Sequence, residues 1–314
     1  SASSSMYTHD VSGTDDTASN NTAYGFTAMD AITTGDNNAA FGHNALGANT
    51  TGAQNVALGR NTLKTNTTGD YNVAVGDAAL DVNSTGDNNV GIGSDALGFN
   101  TTGSDNVAVG YGALSKNTTG TRNLAIGANA YDASDTENDN LAIGYNAMTT
   151  NTAGGTLNVA VGNYALDALT SGDYNVAVGY NALTGNTVSS ENTAIGYGTL
   201  TAATGSLNTA VGYNALTVNT GVRNTAVGIE AGLTMTDGEK NTFIGERAGR
   251  LATGSDNTFV GSQAGTTTST GASNVAVGTK ALTLNTTGSQ NVAVGKDALD
   301  SNTTGADNVA MGTD

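Results

Sequence analysis

The chain of 314 residues has no cysteine, proline or tryptophan, and only 5% of its residues are aromatic. Without cysteine it has no disulfide, no thiol nucleophile and no zinc site of the Cys/His type. Positive charge is also scarce, because ten Lys and Arg stand against 27 Asp and Glu, which gives a net charge of -17. Nucleic acid and anionic membrane surfaces both attract clustered positive charge. The composition therefore argues against nucleic acid as a partner.

Long apolar runs are missing as well, and none approaches the roughly 20 residues that a membrane-spanning helix needs. We therefore expect no membrane insertion by a helix. The chain has 44 glycines, and its apolar residues are mostly Val, Ala and Leu at fixed spacing. Such spacing is typical of many small repeated cores and not of one large core.

A motif of the form Asn-(Val/Thr)-Ala-(Val/Ile/Leu)-Gly recurs eighteen times between Asn21 and Asn308, with a step that is almost always 17 residues. We number each coil from this asparagine, the anchor Asn, as position 0; Gly is then at position 4, and Ala and Leu are usual at positions 7 and 8. A typical coil covers 106–122. In it, Val107 and Val109 share one strand face and Ala108 takes the other. We expect the Ala-Leu pair to begin a second short strand that closes the coil over the valines.

The pattern predicts an all-β fold, a parallel β-solenoid (β-roll) of about 18 coils of 16–18 residues. Helix is disfavoured because the segments between glycines are short and rich in Val, Thr and Asn. We divide the chain into a non-repeating lead (1–20), regular coils (21–223), variant coils (224–273) and further regular coils (274–314). The segment 131–138 departs from the repeat and is expected to form a bulged coil.

In a stack of coils each position becomes a column, and the anchor Asn column is expected to form a structural amide ladder. A ligand-binding role for it is the alternative. Glycine at position 4 is expected to turn a corner, because it tolerates a positive φ. The ladder is represented by Asn55, Asn72, Asn89, Asn106, Asn123 and Asn140, and the corners by Gly59, Gly76, Gly93, Gly110 and Gly127.

Alanine at position 2 is expected to lie on an exposed face, where its persistence suggests close packing against another copy of the chain. Ala57, Ala74, Ala108 and Ala125 represent this inter-chain column.

Aspartates also fall in columns, and four of them lie two residues before an anchor Asn: Asp36, Asp70, Asp87 and Asp173. Stacked carboxylates repel one another unless they are hydrated or neutralised. The favoured interpretation is that they cap backbone NH groups in a solvated turn. Calcium bridging is the alternative, although the nonapeptide calcium motif is missing. Apart from this calcium candidate, no cofactor or metal is expected.

The coils between Asn224 and Ser273 replace Ala by Phe243 and Phe259, and replace Leu by glycine. Arg247 and Arg250 add charge there. Compensating changes in a tolerant core are the favoured explanation. The alternative is a binding patch formed by these two phenylalanines and two arginines.

Units such as 208–221 (NTAVGYNALTVNTG) and 241–249 (NTFIGERAG) resemble the repeats of bacterial and phage surface fibres, including tail-fibre shafts. More distantly, they resemble the head repeats of trimeric autotransporter adhesins. The resemblance covers residues 21–312. It implies a left-handed β-roll, assembly as a homotrimer, and a place outside the cell, on the cell surface or on a virion. The chain ends inside a coil, so head-to-tail stacking into a filament is a second mode of self-association.

No catalytic motif is found, and acidic pairs occur only as repeated columns, whereas an active site is a unique constellation. We therefore expect a non-enzymatic structural subunit of an extracellular or virion fibre, with adhesin-like attachment as its role. A cell-surface receptor or glycan is a further expected partner. The alternative is a secreted solenoid that binds ice or calcium.

Overall fold

A computed structural model describes residues 6–7, 18–151 and 154–313. Most of the expected lead (1–20) lies outside these residues. The chain divides into two compact units, Ser1–Leu157 and Asn158–Asp314. Within the described residues every regular element is a short β-strand, and none is a helix. The predicted all-β solenoid is confirmed in both units.

The first unit contains nine strands and the second contains ten, and after the first strand each has three residues. The strands of the first unit are β1 Met6–Tyr7, β2 Thr22–Tyr24, β3 Ala39–Phe41, β4 Val56–Leu58, β5 Val73–Val75, β6 Val90–Ile92, β7 Val107–Val109, β8 Leu124–Ile126 and β9 Leu141–Ile143. Those of the second unit are β10 Val159–Val161, β11 Val176–Val178, β12 Thr193–Ile195, β13 Thr209–Val211, β14 Thr225–Val227, β15 Thr242–Ile244, β16 Thr258–Val260, β17 Val275–Val277, β18 Val292–Val294 and β19 Val309–Met311.

Within each unit the strands pair in parallel, and each one lies on the equivalent strand of the next coil. Val56 pairs with Val73, and Val73 pairs with Val90. The register is set by the repeat length, because identical positions meet in every coil. Each unit is therefore a β-solenoid with one coil per repeat.

The inward position of the strand is alanine, contrary to expectation. Ala57, Ala74, Ala108 and Ala125 are all 0% exposed inside their own unit. The valines on either side face outward; Val56, for example, is 40% exposed. The prediction of an inter-chain alanine column is thus wrong, because these methyl groups are buried within the coils, as are Ala and Leu of positions 7 and 8. At the equivalent Gly91 a Cβ would lie 3.3 Å from Cγ of Leu80.

The expected second strand is also absent from the described coils. Leu114 has a φ of 50° and lies in a run of turns. Its NH donates to the carbonyl of Ala130 in the next coil at 3.0 Å, whereas the NH of Ala113 donates back to Gly110 at 3.4 Å. Alternate residues therefore bond to the neighbouring coil and to their own turn. The left-handed conformation is maintained by this stacking.

The anchor Asn ladder is confirmed, and its side chains hydrogen-bond to backbone groups as well as to one another. The side-chain oxygen of Asn55 accepts the backbone NH of Asn72 at 2.9 Å and its side-chain NH at 3.2 Å. The Asn72 amide also donates to the carbonyl of Gly86, in the turn of its own coil, at 2.8 Å. These side chains are buried, so each hydrogen bond satisfies a group that would be costly to leave unpaired.

A second asparagine column, at position 11, forms a side-chain amide ladder that we did not predict. Asn83 donates to Asn66 at 2.9 Å, and Asn100 donates to Asn83 at 2.8 Å. Although position 11 lies in the polar, turn-forming half of the repeat, its asparagines are buried. Coils with Asn at both positions are thus held by two internal polar columns, whereas other coils place an apolar residue such as Leu169 or Met235 at position 11.

The position-4 glycines turn corners as predicted. Gly59, Gly76, Gly93, Gly110 and Gly127 have φ values of 139°, 130°, 132°, 138° and 133°. At Gly110 an added Cβ would collide with the carbonyl of Gly127 in the next coil. The corner therefore needs glycine both for its conformation and for the close approach of neighbouring coils.

The irregular segment 131–138 is a coil with a different polar interior. Tyr131 is buried in the leucine position, and its hydroxyl lies 3.0 Å from the Asn151 amide. Glu137 occupies the turn-glycine position and is 2% exposed. Its carboxylate accepts the backbone NH of Asp135 at 2.9 Å and that of Gly154 at 3.0 Å. Burial raises the pKa of the Tyr131 hydroxyl. Glu137 thus takes the place of the turn glycine, and its carboxylate accepts hydrogen bonds from backbone NH groups of its own coil and of the next coil.

Candidate functional site

The outward side of the strands is the largest unusual surface in each unit. We call it the strand face and define it by positions 1 and 3 of each coil, with the residues directly before the anchor Asn and at position 5 as its flanks. From β2 to β19 no charged residue occurs at positions 1 or 3. This absence is notable in a chain of net charge -17.

Most large hydrophobic residues that are exposed belong to this face. In the first unit the one exception is Phe99, among the described residues. The members there are Tyr24, Phe26, Phe41, Val56, Leu58, Tyr71, Ile92, Tyr111, Ile126, Tyr145 and Leu157. In the second unit they are Tyr174, Tyr180, Ile195, Tyr197, Leu207, Tyr213, Val227, Ile229, Ile244, Val277, Val309 and Met311.

The size of the strand face follows from β-sheet spacing. Neighbouring strands lie about 4.8 Å apart, and the three residues of a strand span roughly 10 Å. The eight strands β2–β9 therefore present roughly 380 Å². A stable interface between two proteins buries about 800 Å² on each partner. The strands of the first unit alone thus offer about half of the area that one partner buries in a specific interface.

Ion pairs between neighbouring coils neutralise charge at the flanks of the first unit. Arg60 makes two hydrogen bonds to Asp77, at 2.8 and 2.7 Å, and Arg122 bonds in the same way to Asp139 at 2.7 and 2.8 Å. The guanidinium groups lower the pKa of both carboxyl groups. Exposed pairs of this kind add little stability. Their effect is to leave the rim of the strand face without net charge at these coils.

Aromatic residues at one flank form stacks. In the second unit Tyr180 stacks on Tyr197 with ring centroids 5.5 Å apart, and Tyr197 stacks on Tyr213 at 5.4 Å. In the first unit Phe26 stacks on His43 at 5.7 Å. The stacks follow from the repeat, because position 5 of each coil lies beside position 5 of the next.

The aspartates named as calcium candidates mostly cap backbone NH groups. Asp36 accepts the NH of Ser19 at 2.6 Å, Asp70 that of Ala53 at 2.7 Å and Asp87 that of Asp70 at 2.8 Å. The NH of Asp173 donates to the hydroxyl of Ser190 at 3.0 Å. Among the described residues, no group of three or more His, Cys, Asp or Glu side chains is arranged to hold a metal ion. The geometry supports the capping interpretation for the first three.

The alternative interpretation of the variant coils, a binding patch, is wrong for its aromatic half. Phe243 and Phe259 are 0% exposed and stack with centroids 5.4 Å apart. A Cβ added to Gly249 would lie 2.6 Å from Cδ1 of Phe243, so the ring fills the space that leucine takes in a regular coil. Core compensation is therefore the correct explanation of these substitutions.

The two arginines of that patch do lie at the surface. Arg247 and Arg250 both donate to the same oxygen of Glu230, at 3.1 and 2.9 Å. These hydrogen bonds lower the pKa of the Glu230 carboxyl, with the larger effect from Arg250. The three residues form a local ion-pair cluster separate from the phenylalanines, which are inside the coil.

The positions of the site residues were only partly accessible from sequence. The strand face was missed because Val was assigned to the interior, although the lack of charge at positions 1 and 3 was a usable signal. No protein-family model matches the chain, and no curated protein matches it either. No helix in the described part of the chain has the length and apolar character to cross a membrane.

Proposed function

We propose that the protein is a non-enzymatic structural subunit of an extracellular or virion fibre that self-associates through its strand face. Surface attachment is its proposed role in that fibre. The observation that supports this proposal is the strand face itself, which is long, apolar and uncharged at positions 1 and 3. Exposed apolar surface of this extent is typical of protein–protein interfaces.

A second copy of the chain is the partner that fits this surface best. The chemistry of the face repeats with every coil, so a partner with the same repeat matches it along its whole length. Because the alanines are internal, we assign the chain contact to the outward Val, Leu and Ile side chains. A homotrimer would bury the strand face, whereas a head-to-tail filament would bury the coil ends; we propose the homotrimer for the contact through this face and keep the filament as a second form of assembly.

The proposal has no need of a catalytic centre. The repeated asparagines and several aspartates are engaged in hydrogen bonds between coils, which is a structural use of polar residues. The resemblance to surface-fibre repeats supports an extracellular, cell-surface or virion location.

Charge on the strand face tests this function. The double variant Val73→Lys/Val107→Lys places two ammonium groups on it, and we expect the mass measured by sedimentation to fall to that of one chain. A rod or filament seen by negative-stain electron microscopy should be lost in parallel. Burial of unpaired charge in an interface costs several kcal/mol.

The matched control is Thr68→Lys/Thr102→Lys, which puts the same charges on exposed turn residues two coils apart, the same spacing as Val73 and Val107. This control should keep the wild-type mass. If wild-type protein sediments as one chain at every concentration up to the millimolar range, the proposal is wrong.

Ice binding is a second candidate, favoured by one feature of the second unit. The five strands β12–β16 carry Thr at position 1 and Ile or Val at position 3, in two regular outward columns. Charged neighbours directly before the anchor Asn, among them Glu191, Arg223 and Lys240, interrupt the apolar surface. We therefore rank self-association first. Thermal hysteresis of the purified protein separates the two, and its absence removes this candidate.

A further inference from the structure

One groove of the first unit lies away from the strand face. It is open, has a volume of about 550 Å³, and is lined by Phe99, Lys116, Thr118, Ala133 and Asp135. Small-molecule sites have volumes of about 300–1,000 Å³. The groove therefore has the size of a site for a small ligand.

The lining residues come from equivalent positions of three successive coils. Phe99, Lys116 and Ala133 all occupy position 10, and Thr118 and Asp135 occupy position 12. Position 12 is Thr or Ser in the other described coils, where the hydroxyl commonly donates to the carbonyl of the next coil, as Thr101 does to Thr118 at 2.9 Å. Asp135 is the exception, and Phe99 is the one aromatic at position 10 among the described residues. A unique constellation in a repetitive surface points to a specific ligand.

The aromatic ring is available as a flat apolar platform. Phe99 is 60% exposed, and no other ring of the described residues stacks on it. Beside it the groove offers a donor, the ammonium of Lys116, and an acceptor, the carboxylate of Asp135, which is also hydrogen-bonded by the Thr118 hydroxyl. The methyl group of Ala133 leaves room between them.

We propose that this groove binds a neutral hexopyranose, either a free sugar or the terminal unit of a glycan. A pyranose ring has an apolar C–H face, which matches the Phe99 ring, and hydroxyl groups that both donate and accept hydrogen bonds. Lys116 satisfies a sugar acceptor and Asp135 satisfies a sugar donor. The lining holds one positive and one negative residue, and Asp132 acts on Lys116 from outside it, so the groove disfavours an anionic ligand.

The assignment is independent of self-association, because none of the groove residues belongs to the strand face. A failure of one proposal therefore leaves the other standing. Binding at this groove would give the proposed attachment role a chemical target.

Saturation-transfer difference NMR tests the assignment, with the methyl glycosides of glucose, galactose and mannose as probes at about 10 mM. We expect transfer to the C–H face of at least one probe in wild-type protein, and at least a tenfold loss of affinity in Phe99→Ala and in Asp135→Thr. The second variant restores the residue usual at position 12, so it should fold. Leu284→Ala is the matched control, since Leu284 is an exposed position-10 residue in the other unit.

The proposal is overturned if none of the three glycosides shows transfer, or if the signal persists unchanged in both groove variants. Oligosaccharides that end in the bound hexose distinguish the two ligand sources. An affinity that rises with chain length indicates a glycan, whereas equal affinity indicates a free sugar; either result requires the same groove residues.

Discussion

At the scale of single residues, asparagine and alanine define the coil because of their size and hydrogen-bonding capacity. The anchor Asn joins its own turn to the neighbouring coil, as Asn72 does through Gly86 and Asn55. A buried asparagine left without such partners would destabilise the fold by about 1–3 kcal/mol for each unpaired group. The columns therefore require the same residue in coil after coil.

Asp81 has a buried oxygen, Oδ1, without a hydrogen-bond partner, and this leads to a prediction about how stability depends on pH. Burial raises the pKa of this carboxyl above the ordinary value of 3.8, against a smaller lowering by Lys64. Folding therefore favours the protonated form relative to the unfolded chain. This stabilisation is present below pH 3.8 and is lost as the pH rises through the raised pKa.

We expect Asp81→Asn to increase the free energy of unfolding at neutral pH by only about 0.5 kcal/mol, because it removes a charge that is partly desolvated and partly screened by solvent. The gain should shrink to near zero below the ordinary carboxyl pKa. Urea unfolding at several pH values measures both effects. The exposed control Asp237→Asn should show little change, and an equal gain in the two variants would contradict the role of burial.

At the scale of the coil, volume is exchanged between positions 2 and 8. Regular coils pair Ala with Leu, whereas the coil 241–256 pairs Phe243 with Gly249. Gly249 has a φ of 57°, close to the 50° of Leu114, so the backbone already suits leucine. The two positions should therefore be energetically coupled.

A double-mutant cycle tests this coupling. Phe243→Ala should cost about 3–5 kcal/mol through the cavity it leaves. Gly249→Leu should cost about 1–3 kcal/mol or more through overpacking. The double variant should recover more than half of the summed loss, although it also removes the stacking with Phe259. Thermal and chemical unfolding give the values, and strictly additive losses would show that the exchange is coincidental.

The repeat made the coils, the parallel register and the glycine corners predictable, since the 17-residue step aligns Val56 with Val73 by itself. The same reasoning could not predict which strand residues face the interior of the coil and which face the solvent. Val is more apolar than Ala, so transfer energy alone favours valine in the core. The interior of a regular coil, however, already holds Leu and the anchor Asn, and a Cβ at position 2 already lies 3.3 Å from a leucine carbon, as at Gly91 beside Leu80. Steric limits decided the orientation.

The candidate site was less accessible than the fold. The sequence identified the aspartate and arginine candidates. It did not identify their hydrogen-bond partners, because these depend on which residues of neighbouring coils lie side by side. The Phe99 groove requires the alignment of position 10 with position 12 across three coils, and Phe99 gave no signal by itself. Unique residues within a repeat are the sequence feature that marks such sites.

At the scale of the whole molecule, the account depends on a surface that is covered in the assembly and exposed in a single chain. The chain has no cysteine, so one introduced thiol reports on one position. Thiol labelling of Val56→Cys, Ala57→Cys and Thr68→Cys compares an outward strand residue, its buried neighbour and an exposed turn residue of the same unit.

The most direct measurement is the labelling rate of these three thiols over a range of protein concentration. We predict that the thiol of Ala57→Cys stays protected at every protein concentration and that the thiol of Thr68→Cys labels rapidly at every concentration. The thiol of Val56→Cys should label rapidly in dilute protein and should label at least tenfold more slowly as the concentration rises. Equal labelling rates of Val56→Cys and Thr68→Cys at every concentration would contradict the account, because the strand face would then never be covered.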